Sequence, residues 1–143
     1  MHDLLIPIDI EDALQKDITE AAERSGLSIS VSAPPIARDL GGGRAMPYAV
    51  VERLGGVRSS LVLDKHAVSV DVWDKRWALA QDTASKLLAI ILALPDTPDM
   101  SVDYISADVD TIPYNNPDVK HEDLPRVTFT VQLTTRATAQ AID

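Results

Sequence analysis

A chain of 143 residues with 22 acidic and 13 basic side chains carries a formal charge of −9 and contains no cysteine. That length suits one domain with a sizeable core, and the missing cysteines exclude disulfides, thiolate nucleophiles and sulfur-ligated metal clusters while fitting a reducing compartment. The acid surplus argues against tight nucleic-acid binding, which needs cations to displace counterions, yet on the wall of a pore it would repel passing DNA and keep it from sticking.

The spacing of Ile10, Ala13, Leu14, Ile18, Ala21 and Ala22 predicts an amphipathic helix over residues 9 to 25, capped by Asp9 or Asp12 and stopped by Gly26. Leu27, Ile29 and Val31 then alternate with Ser28, Ser30 and Ser32, a short strand ended by Pro34 and Pro35. Residues 33 to 47, with three consecutive glycines between Arg38 and Arg44, read as a mobile loop. Its glycines fit neither a P-loop, which needs a lysine followed by Ser or Thr, nor a dinucleotide fingerprint, so a flexible segment that a partner orders is preferred to a phosphate cradle.

Residues 47 to 54 predict a strand, Gly55 and Gly56 a turn, and residues 58 to 63 the start of the next strand or a bulged part of it. From 66 to 94 a two-residue apolar rhythm becomes a helical one. Val68, Val70 and Val72 oppose Ala67, Ser69, Asp71 and Trp73; after Asp74, the predicted cap, Trp77, Ala80, Ala84, Leu87, Leu88 and Ile91 form one stripe. A strand feeding directly into a helix of about 20 residues is expected, long enough at roughly 30 Å to cross a sheet.

Pro95 and Pro98 break that helix; residues 100 to 107 predict a strand and 108 to 123 a polar loop. The cleanest strand is 125 to 137, with Val127, Phe129, Val131 and Leu133 on one face and Arg126, Thr128, Thr130, Gln132, Thr134 and Arg136 on the other. The order predicts a single α+β domain over 1 to 143: a mostly antiparallel sheet of four to five strands, with the N-terminal helix and the long central helix packed on one face. The longest apolar run, residues 87 to 94, is far short of the roughly 20 residues of a membrane span, and the N-terminus lacks a cationic leader, so neither a membrane helix nor a secretory signal is expected.

Little in the chain is arranged for catalysis. His2, His66 and His121 stand in different segments without metal-ligand spacing. Asp64, His66 and Asp71 could be assembled into a hydrolytic site, but solvated residues at a strand entrance are the simpler reading. Asp103, Asp108, Asp110, Asp118, Glu122 and Asp123 could hold calcium in a loop; the EF-hand pattern is missing, and a solvated acidic loop is preferred. No glycine-x-serine-x-glycine elbow occurs, and 4% aromatic residues leave few stacking platforms. Trp73 and Trp77 read as packing residues and not as a ligand clamp, Trp77 on the helical stripe and Trp73 partly exposed at a strand end. Trp73, with Arg38, Arg44, Arg126 and Arg136, makes up the candidate interface, and no catalytic, cofactor or metal residue is expected.

Three segments in order, DIEDALQKDITEA, VSVDVWDKRWALAQDTASKLLAIILAL and NNPDVKHEDLPRVTFTVQLTTRA, make the chain resemble the tail terminator (tail completion) proteins of long-tailed bacteriophages, particularly of phages infecting actinobacteria. The resemblance implies a small α+β subunit of a ring, typically a hexamer, that caps the tail tube and presents a surface to the head connector. Expected partners are copies of itself, the tail tube protein and the head-tail connector or stopper, with DNA passing through the lumen unbound. Assembly in the host cytoplasm, a place in the virion tail or neck, no cofactor and no enzyme activity follow from the same likeness. A connector, stopper or tube subunit of the same phage is the alternative, and a small hydrolase using Asp64, His66 and Asp71 the reading from another class.

Overall fold

A computed structural model describes residues 2 to 142. Its elements in chain order are β1 (His2–Ile6), α1 (Ile10–Arg24), β2 (Ser30–Ser32), β3 (Tyr48–Arg58), β4 (Leu63–Trp73), α2 (Trp77–Leu92), a short 3-10 turn (Leu94–Asp96), β5 (Tyr104–Asn115), β6 (Arg126–Arg136) and β7 (Thr138–Ile142). Five strands make one sheet in the order β2-β3-β4-β6-β5, antiparallel except for the β2–β3 pair. This is the α+β arrangement expected from the hydrophobic pattern.

The sheet is built on β4, whose eleven residues pair with β6 from Leu63↔Arg136 to Trp73↔Arg126 without a register shift. Because strand side chains alternate, that register sends Val68, Val70 and Val72 to the face that also carries Val127, Phe129, Val131 and Leu133. α1 supplies Ile10, Leu14 and Ile18 to the same core, and α2 supplies Ala80, Ala84, Leu87 and Ile91. Both helices therefore cover one face. Asp9 caps α1 by accepting from the Asp12 amide at 3.1 Å, as the sequence predicts.

Several boundaries differ from expectation, each for a local reason. β3 does not end at Gly55 and Gly56 but continues through them to Arg58 with a bulge between Arg53 and Gly55. Gly55 has φ +114°, and a Cβ on Gly56 would lie 2.1 Å from the Lys65 carbonyl oxygen, so these glycines permit a bulge and a close strand approach where a turn was expected. β5 runs to Asn115, which places Asp108 and Asp110 in a strand instead of a loop. Asp74 does not cap α2; its side chain accepts from the Lys75 amide at 2.8 Å, and the helix starts at Trp77, with 16 residues. The strand expected from residue 27 is reduced to Ser30–Ser32.

β1 and β7 pair with each other as a separate two-stranded ribbon that joins the two ends of the chain. The sequence reading did not anticipate it. Five residues at each end carry too little alternation to announce a strand, and the pairing unites segments more than 130 positions apart, as in His2↔Ile142.

Asp17 fastens α1 to the chain that follows α2. Although its neighbours on the buried helix face are apolar, its carboxylate accepts from the Ser101 amide and hydroxyl, both at 2.8 Å, and from the Tyr104 hydroxyl at 2.6 Å. Burial, then the bond to this carboxylate, pushes the Tyr104 hydroxyl far above the ordinary tyrosine range, so it stays a donor. Removing the acceptor leaves buried donors unsatisfied. Asp17→Ala is expected to destabilise the fold by about 3 kcal/mol, measured by urea unfolding, with Tyr104→Phe costing about 1 kcal/mol.

Candidate functional site

On the core face, β4 extends beyond the helices, and parity carries Asp64 and His66 to the same side as Val68. Both are buried, not solvated as the sequence reading held. His66 Nε2 shares a hydrogen bond with Thr135 Oγ1 at 2.9 Å, and the Arg58 guanidinium donates through two nitrogens to the Asp64 carboxylate. With Pro7, Ile8, Ile10 and Arg53 they line an open groove of about 440 Å³ between the N-terminal segment and the far half of the β3–β4 hairpin. Burial lowers the His66 pKa, against the pull of Asp64, so the ring is neutral near pH 7.

Asp71 is not part of this groove. An odd number of positions from both Asp64 and His66, it points to the opposite sheet face, where it accepts from the Thr128 hydroxyl at 2.6 Å. The three residues that a hydrolytic reading would combine are divided between two faces. The side chain of His2 lies outside the described residues. Among the described residues, no group of three or more His, Cys, Asp or Glu side chains stands close enough to share a metal ion.

The other face is covered at one end by a small cluster of Leu40, Tyr48, Val50 and Trp73. Trp73 is 0% exposed, whereas Trp77 is 39% exposed, which reverses the two roles expected from the sequence. Trp73 stacks on Tyr48 at 5.7 Å and donates from Nε1 to Asp118 at 3.2 Å, so it packs inside the subunit and is not a surface contact. Trp77 stands in the first turn of α2, beyond the part of the helix stripe that the sheet covers.

The same cluster ties down the loop expected to be mobile. Leu40 is buried in it; the Tyr48 hydroxyl accepts from the Ala37 amide at 3.0 Å; and Arg44, 4.6 Å from the Tyr48 ring centre, donates to Ser30 Oγ at 2.9 Å and to Asp39 at 3.1 Å. Arg126 lies 5.8 Å from the Trp73 ring centre and donates to the carbonyls of Asn116 at 2.7 Å and Pro117 at 3.3 Å. Burial alone would raise the Asp118 pKa, but donors from His121, the Lys120 amide and Trp73 outweigh it and hold the carboxyl below its usual range.

Of the five candidate interface residues, Arg44 donates from both terminal nitrogens, though not from its buried Nε, and Arg126 from two nitrogens to groups of the same chain, and Trp73 is enclosed. Arg38 is exposed, and Arg136 is exposed with an ion pair to Asp103 at 2.9 Å. The larger outward surface was missed. Leu54, Val57, Leu61 (88% exposed) and Val62 stand on the β3–β4 hairpin, and Ile105, Val109, Ile112 (69% exposed) and Tyr114 on β5. Part of it was legible: Val109, Ile112 and Tyr114 fall in the segment read as a polar loop, where apolar residues have no core to enter.

The sequence matches no protein-family profile and no curated protein. In structure, the chain is similar to one described as belonging to the virion of a native gene transfer agent particle, with a TM-score of 0.56 and 12% identity, covering 90% of this chain and 98% of that one. The likeness shows a shared fold along nearly the whole length of both chains.

Two measurements check this geometry. Because the folded chain holds His66 neutral while an unfolded one takes up its proton near the ordinary value of about 6.5, stability falls as the pH drops from there through the lower folded value. The thermal midpoint of the natural chain relative to His66→Gln is expected to be constant above pH 7 and to decline below about pH 6.5. The Trp77→Phe protein, left with Trp73 alone, is expected to emit in the blue and to resist acrylamide quenching; ready quenching would place Trp73 at the surface.

Proposed function

We propose that the chain is a structural virion subunit, a tail terminator that assembles into a ring, caps the tail tube and meets the head connector. The observation that carries this reading is the fold likeness to a virion chain, which spans 98% of that chain and leaves no large part of either unmatched. Two physical features agree with it. Apolar side chains are exposed on strands at both sides of the sheet, as befits a subunit that buries them against copies of itself or neighbouring particle proteins. The charge of −9 suits a lumen through which DNA moves without adhering.

On this reading the chain has no substrate. Asp64, otherwise an obvious reactive group, is held by Arg58, and His66 bonds to Thr135. Their work is to close the turn end of the hairpin, where Arg58 pairs with Asp64.

Deleting the gene is expected to give particles whose tails vary widely in length under the electron microscope, with restoration by the intact gene. Tails of normal length beside heads that have lost their DNA would identify a stopper instead, and loss of tubes altogether would identify a tube subunit.

A further inference from the structure

The two side edges of the sheet differ in charge, shape and pairing. β5 is the last strand of the order β2-β3-β4-β6-β5 and has one neighbour only. Residues 87 to 119, which contain it, hold six aspartates and no lysine or arginine. Among the described residues, Asp108 and Asp110 form no ion pair; Asp103 is engaged by Arg136. Register shifts at Tyr104/Ser106, Val109/Thr111 and Thr111/Tyr114, together with Pro113, interrupt the free ladder of β5. Such an edge resists open-ended strand addition and leaves its side chains to make contacts.

At the opposite side, β2 pairs with β3 only from Tyr48 to Val50, so the rest of β3 has β4 alone as a strand neighbour. Around the groove Arg53, Arg58 and Lys65 stand against Asp64 and Glu11, a small cationic surplus in a chain of charge −9. Arg53 stands beside the apolar groove bounded by Pro7, Ile8 and Ile10, its guanidinium exposed and 3.9 Å from the Glu11 carboxylate of α1, and Leu54 is exposed next to it.

We propose that the occupant of this groove is a second copy of the chain, seated by its β5 edge, with Ile112 and Val109 against the apolar wall and Asp108 and Asp110 facing Arg53. This rests on the ring reading above and names its contact. The acidic apolar edge of β5 has no cation of its own chain at Asp108 and Asp110 among the described residues, and the groove on the other side of the sheet keeps a small cationic surplus that its own carboxylates do not cancel. Between copies they repeat head to tail, and a head-to-tail contact closes into a ring when its rotation allows. Complementary charge fixes which edge meets which, while the apolar residues are removed from water.

The cysteine-free chain permits a direct test. A Leu54→Cys protein mixed with an Ile112→Cys protein, treated with a short bis-maleimide in solution at high concentration and in particles complemented with both variants, is expected to yield a heterodimer well above that from Leu54→Cys with Ser85→Cys on α2. Arg53→Glu or Asp110→Arg alone should lower that yield several-fold, and the two charge changes together should restore it. Equal yields from the Ile112 and Ser85 partners in both settings, or no recovery in the charge-swapped pair, would overturn the contact. If tail length were still controlled in that event, the ring reading would stand with a different interface; loss of length control in no variant or deletion would remove the ring reading itself.

Discussion

The unshifted eleven-residue pairing of β4 with β6 decides the side of the sheet on which every neighbouring group lies. A strand offers two faces and no intermediate, so a slip of one position would send Val68, Val70 and Val72 to water and Ser69 and Asp71 to the core. The native register instead continues the core face outward through His66 and Asp64. There the apolar core gives way to a buried polar end made by Arg58, Asp64, His66 and Thr135.

That ending closes the turn end of the hairpin, where Arg58 and Asp64 are the last residues paired before β3 turns into β4. Unpaired, Asp64 would be costly to bury; held by two guanidinium nitrogens and accompanied by a neutral imidazole, it closes the core without exposing it. The bulge at Arg53/Gly55 compensates on the neighbouring strand, bringing Arg58 opposite Asp64. The opposite face has its own closure, in which Tyr48 and Trp73 stack and two arginines and Asp118 bind the covering loops to them. Both ends of the sheet are thus finished by polar groups that bond to one another, with Arg44 Nε left buried without a partner, while the two lateral edges remain open.

A chain built this way is packed in its centre and leaves apolar side chains exposed at its sides. The helices bury one sheet face, α1 reaching Arg53 of β3 through Glu11 and α2 reaching the Pro113 carbonyl of β5 through Gln81, while Leu54, Val57, Val109 and Ile112 stay exposed. Exposed leucine, isoleucine and valine on strands whose backbone is already ordered lose little further freedom when they are covered, which is why the proposed contact is placed there. The ion pair of Arg136 with Asp103, two side chains that remain mostly in water, contributes little to stability and leaves the acidic character of the β5 side to Asp108 and Asp110.

The sequence by itself determined the α+β class, the capped first helix, the apolar stripe of the central helix and the final strand, because periods of 3.6 and two are set by local backbone geometry and need no partner to be read. The tertiary structure alone decided whether Gly55 and Gly56 turn or bulge, since the answer depends on how closely Lys65 approaches from the neighbouring strand. It also decided that Trp73 is enclosed and Trp77 exposed, which depends on where the covering loops and the sheet end. Burial of Asp64 and His66 and the separation of Asp71 follow from strand parity together with a neighbour, Thr135, that lies 69 positions from His66. The ribbon of β1 with β7 is the extreme case: two unremarkable five-residue ends become strands only because the fold brings them together.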